Sequence, residues 1–220
     1  VNFFAHALLA SKRSDDAAFV LGAMLPDLCG FARVRLGGAA AGALGDGVRF
    51  HHASDAAFHA HRVFAARCSE LARALEARGV RRGPARGVAH VASELQLDGW
   101  LAREAGVPRA YRDSLADARG LLRECALRPD ARADVEAICV RVHASPLPEA
   151  YASAEFVCER VVRALAHRPF LALEPRERPA VAAELAASAE RCAGWAPGVL
   201  GDLRRALARP VSESTTEELP

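Results

Sequence analysis

Lysine occurs once (Lys12), isoleucine once (Ile138) and threonine twice, at Thr215 and Thr216. Valine is therefore nearly the sole β-branched residue in a 220-residue chain that carries 49 alanines. Such material forms helices far more readily than strands, and it predicts an all-α fold. Long apolar runs are also missing, because charge interrupts each one well before the ~18 residues a membrane span needs. The segment Val1–Ala10 has neither a basic head nor a small-residue cleavage site, so no secretion signal is expected there. The six cysteines contain no CxxC pair, and a domain of this size needs no disulfide staples. The expectation is a soluble, cytoplasmic protein with no membrane partner.

Familiar nucleophilic and nucleotide motifs are absent too. There is no Gly-x-Ser-x-Gly turn, and the glycines of residues 37–47 lack the Lys-Ser/Thr ending of a phosphate-binding loop. The net charge is +2, and nearly all the cationic charge is arginine. Near-balance of this kind gives no argument for nucleic-acid binding.

Proline and glycine divide the chain into about eight helical stretches within one domain, residues 1–209. The first stretch covers Phe3 to Ser11. The second starts at an Ser14 cap, with Asp15 and Asp16 in its first turn, and is expected to end or kink at Pro26. A flexible connection follows over residues 37–47, then one long helix from Val48 to Arg78, closed by Gly79. Pro84 to Glu104 forms the next. Pro108, Pro129, Pro148 and Pro175 mark further helix starts, and Pro197 is expected to open the last, ending near Ala208. The acidic tail, residues 210–220, has little to bury and is expected to be disordered.

Six of the eight histidines lie between His6 and His90. In HHASDAAFHAH, His51, Asp55 and His59 are successive i, i+4 neighbours on one helix face. In HVASELQLD, His90, Glu94 and Asp98 repeat that spacing. Two helices that each present imidazole and carboxylate along a stripe can converge on a metal inside a bundle. Mixed nitrogen and oxygen donors suit manganese, iron, zinc or magnesium. A lone stripe of this kind is usually a solvated helix face; two histidine-led stripes in apolar helices favour a site. Asp27, after the apolar LGAMLP, and His6, on the apolar NFFAHALLA helix, add two further candidates. His52 and His61 point off the stripe and read as surface or supporting residues.

These residues also carry a resemblance. Asn2-Phe3-Phe4-Ala5-His6 resembles the NFLAH start of acyl carrier protein phosphodiesterases, and Leu21-Gly22 to Asp27 resembles that family's glycine-led apolar stretch ending in aspartate. Gly47-Val48 with His51 and Asp55 is similar to its G-[IV]-x-x-H-x-x-x-D segment. Glu94 to Ala102 is similar to its D-x-x-x-D-H-[FW]-L-A segment, with Glu94 for the first aspartate and Gly99 for the histidine. The match is confined to residues 2–102. It implies an HD-like helical metallohydrolase that uses Mn²⁺ to release 4′-phosphopantetheine from holo acyl carrier protein. The carried-over positions are His6, Asp27, His51, Asp55, Glu94 and Asp98; His90 joins them from spacing alone.

The expected metal shell is therefore His6, Asp27, His51, Asp55, His90 and Glu94, with Asp98 or His59 as the proton-transfer group. The partner is acyl carrier protein or a small phosphodiester. The alternatives are another helical phosphoesterase, of the HD or zinc phospholipase C type, or a helical protein that binds metal without turnover. Arg73, Arg78, Arg81, Arg82 and Arg86 stand against one acid, Glu76, and offer a docking patch for an acidic protein or a phosphate. No aromatic residues interleave them, which disfavours single-stranded nucleic acid.

Overall fold

The computed structural model describes residues 2–37, 41–125 and 127–208, and the expected disordered tail lies outside them. Among the described residues the fold is all-α, with ten helices and three short 3₁₀ turns. The helices are α1 (Phe3–Ser11), α2 (Ala17–Ala32), α3 (Gly42–His59), α4 (Arg62–Ala77), α5 (Arg82–Ala105), α6 (Arg109–Ala116), α7 (Ala118–Leu121), α8 (Pro129–Ala144), α9 (Ala154–Leu165) and α10 (Arg178–Ala208). No described helix is long and apolar enough to cross a membrane. All six cysteines are free thiols.

Helix α1 sits at the centre. It is apolar on every side, so it can only be buried, and residues from Phe3 to Ala10 are. It packs against α2, α3, α5 and α6. Helix α2 starts under an Asp16 cap, whose carboxylate accepts the Ala18 and Phe19 amides, rather than under Ser14. It also runs on through Pro26, which was expected to stop it, so Asp27 lies inside a helix and not at its end.

The tightest packing is between α2 and α3. A Cβ on Gly22 would lie 2.1 Å from the Leu44 carbonyl oxygen, and one on Gly47 would lie 2.1 Å from that of Phe19. Only glycine lets the two backbones touch at this crossing. The segment expected to be a flexible connection is thus largely helix from Gly42 onward.

The single long helix expected from Val48 to Arg78 is two helices. His61 has extended backbone, its side chain accepts the Val63 amide, and its Nε2 lies 3.0 Å from Asp202 on α10. A break held by a residue so distant in the chain leaves no local trace. Pro197 likewise lies within α10 and does not open it.

Candidate metal centre

Four helices bring the expected residues to one place. Helix α1 supplies His6, α2 supplies Asp27, α3 supplies His51, Asp55 and His59, and α5 supplies His90 and Glu94. They form two groups.

The inner group is His6, Asp27 and His51, each with a donor atom within 4.8 Å of the others. Its imidazoles are held by their far nitrogens. His51 Nδ1 lies 2.9 Å from the Ala23 carbonyl oxygen, which can only accept, so Nδ1 carries the hydrogen and Nε2 the lone pair. The Gly22–Gly47 crossing makes that contact, since Ala23 follows one glycine and His51 lies one turn beyond the other. His6 Nδ1 lies 2.7 Å from Ser54 Oγ, which gives its own hydrogen to the His51 carbonyl. Ser54 must then accept from His6, and His6 too presents its Nε2 lone pair. The two rings sit 4.0 Å apart between centroids, tilted by 38°. Burial lowers the His51 pKa and keeps its imidazole neutral.

Asp27 completes the inner group. Burial pushes its carboxyl up to about 7, and the neighbouring Glu94 and Asp55 charges add to the rise. Its Oδ2 is buried and has no hydrogen-bond partner among the described residues. Such an oxygen is costly to bury unless something cationic satisfies it.

The outer group is His59, His90 and Glu94. His59 and His90 stack with centroids 5.0 Å apart and an angle of 12°, and both meet the Phe64 ring at about 68–69°. Glu94 Oε1 lies 3.3 Å from His90 Nε2 and 3.6 Å from His59 Nε2. Burial lowers the His59 pKa as well. Asp55 stands between the groups: one oxygen, Oδ1, is 3.9 Å from His6 Nε2 and 3.1 Å from His59 Nε2. Imidazole nitrogens and carboxylate oxygens gathered in this way suit a divalent cation in each group, with Asp55 shared.

Asp98 is a member of neither group, although the charges of Asp27 and Glu94 reach it and its Oδ2 is buried without a hydrogen-bond partner among the described residues. It is fully buried, its Oδ1 accepts the Ala5 amide at 3.0 Å, and burial drives its pKa well above the ordinary value. The carboxylate thus caps the first turn of α1, one residue before His6. Asp98 thereby also fixes the helix that presents His6. Gly99 is confined by packing, since a Cβ there would lie 2.3 Å from the Tyr151 carbonyl carbon.

His59, the other expected proton carrier, lies within the outer donor group. His52 is exposed, and His61 caps α4. Two of the five arginines in the run are occupied: Arg78 pairs with Glu184, and Arg81 grips buried Glu177 through Nε and Nη2 at 3.0 and 2.9 Å. Sequence reasoning missed Ser54, the Ala23 carbonyl and Phe64. Ser54 follows His51 by three residues and was findable on that face; a backbone carbonyl on another helix gave no signal. No protein-family model, curated protein or solved structure matches this chain.

Proposed function

We propose that the protein is a metal-dependent phosphodiester hydrolase built on two adjoining donor groups. The observation that carries this reading is the orphaned Asp27 Oδ2, buried beside two imidazoles whose Nε2 lone pairs face the same space. His6, Asp27 and His51 would hold one divalent ion, His59, His90 and Glu94 a second, and Asp55 would lie between them. Mn²⁺ is the preferred ion. Such ions supply Lewis acidity, drawing charge from phosphoryl oxygens and acidifying water.

The particular activity we favour is release of 4′-phosphopantetheine from holo acyl carrier protein. Support for it comes from the four segments between Asn2 and Ala102 that resemble the phosphodiesterase family: of their six carried-over positions, His6, Asp27, His51 and Glu94 belong to the two groups and Asp55 lies between them. Hydrolysis of that diester adds water across one P–O bond: hydroxyl goes to phosphorus, and the remaining proton goes to the departing serine oxygen.

The chain's own residues prepare this reaction before substrate arrives. Ser54 and the Ala23 carbonyl hold protons on the Nδ1 atoms of His6 and His51, so neither ring must turn over to bind. Asp98 fixes α1, and the buried apolar faces of α1 and α2 keep water away from the inner side. The outer histidines remain partly exposed, with His90 49% and His59 35% accessible, which leaves an open approach for a bulky ester.

The test uses chelator-stripped protein reloaded with Mn²⁺. Bound metal is counted by elemental analysis, bis-p-nitrophenyl phosphate reports hydrolysis, and the intact mass of holo acyl carrier protein reports loss of phosphopantetheine. Metal-dependent turnover of the nitrophenyl ester supports the class, and mass loss supports the particular substrate. Turnover unchanged in metal-free protein would overturn both.

A further inference from the structure

A cleft of about 780 Å³ opens between α2, α8 and α9, and Asp27 lies in its wall. Its other charged side chains are Arg33, Arg141, Arg160, Arg163 and Arg168. Asp27 is the one acid among them, so the cleft is strongly cationic and touches the candidate metal centre at a single residue. The arginines come from three elements: Arg33 follows the end of α2, Arg141 lies on α8, and Arg160 and Arg163 lie on α9 with Arg168 just beyond it. They contrast with Arg78 and Arg81, which are neutralised by Glu184, Glu174 and Glu177. No acid among the described residues forms an ion pair with the five cleft arginines, and Arg160 lies beside the Tyr151 phenol. Phe31, Ile138 and Leu147 supply apolar wall between the charges.

Several arginines without an ion pair that line one cleft beside apolar surface suit an anion, and their planar forks match phosphate or carboxylate oxygens. The volume is that of a small-molecule site. We propose that this cleft is an anion subsite that holds a second anionic group of the substrate, beside the candidate metal centre that it meets at Asp27. The proposal rests on the phosphodiesterase reading for its role, but the anion site itself does not depend on metal. The second anion is either a further phosphate on a small diester or a carboxylate cluster on a carrier protein.

The test therefore has a metal-free arm and two catalytic arms. In the first, calorimetry measures inorganic pyrophosphate binding to the chelator-stripped protein and to the R160Q/R163Q and R33Q/R141Q variants. The exposed pair on the opposite wall, Arg33 and Arg141, guards against misfolding of a variant at half-buried Arg160. Expected is saturable binding that weakens about tenfold or more in each double variant, with R191Q, on α10, unaffected. In the catalytic arms, Mn²⁺-loaded protein hydrolyses thymidine 5′-p-nitrophenyl phosphate with and without a 3′-phosphate, and separately holo acyl carrier protein. A 3′-phosphate advantage in KM that disappears in R160Q/R163Q assigns the subsite to small bisphosphorylated esters. Loss confined to the carrier-protein reaction assigns it to protein carboxylates. Absent pyrophosphate binding, or binding indifferent to both double variants, overturns the subsite whatever the metal chemistry. Pyrophosphate binding with no hydrolysis of any ester leaves the anion site standing and removes the phosphodiesterase reading.

Discussion

The two donor groups contain nearly the same chemistry yet are built differently. In the inner group each imidazole is held from behind by an oxygen, and the carboxylate is buried. In the outer group the histidines are partly exposed and contact carboxylates directly, with Phe64 against both rings. The difference is one of preorganisation. The inner imidazoles have their tautomers and orientations set by the fold, so an ion bound there would require little further ordering of them. The outer histidines are instead set by Glu94, Asp55 and the Phe64 ring, and they are more exposed.

The sharpest way to break this contrast is to remove Asp27. D27A should lose inner-group metal and all metal-dependent hydrolysis together, measured by elemental analysis and nitrophenolate release. H90A should retain metal in the inner group and lose only the second equivalent. Next in size is the glycine crossing. G22A places a methyl against the Leu44 carbonyl, forcing α2 and α3 apart and the Ala23 carbonyl away from His51. Overpacking of this kind costs about 3 kcal/mol, so the melting temperature should fall by roughly 6–12 °C, and metal affinity should fall with it.

Ser54 tests the support without touching a donor. S54A should weaken the tighter of two Mn²⁺ equivalents about 10–100-fold and leave the weaker one nearly unchanged. The smallest effect belongs to a region with no part in either group. Buried Glu177 accepts hydrogen bonds from the Arg81 side chain and amide and from the Glu174 amide, which hold its carboxyl down to about 2. A folded pKa below the ordinary value of about 4.3 stabilises the fold fully above that value. The contribution disappears as pH falls toward about 2. E177Q should lower stability by about 1–3 kcal/mol at neutral pH, flatten the acid limb of the denaturation profile, and leave metal stoichiometry intact.

Much of this arrangement was legible in the residue pattern. Helix α1 ends where its apolar stretch ends, and the i, i+4 stripes on α3 and α5 named every donor on those helices. The proline-based boundaries failed at Pro26 and Pro197, because packing on both sides of a long helix outweighs one missing amide. The division between α3 and α4 was invisible because His61 answers to Asp202, which is 141 residues away. The arginine cleft could not be read at all: its charges lie on three elements that only the tertiary fold assembles.

The most direct test of the inner group is anomalous diffraction from Mn²⁺-loaded crystals recorded at the manganese edge. A peak within coordination distance of His6, Asp27 and His51 is the predicted result. Ordered inner-group side chains with no peak among them, at manganese concentrations that support hydrolysis, would contradict it.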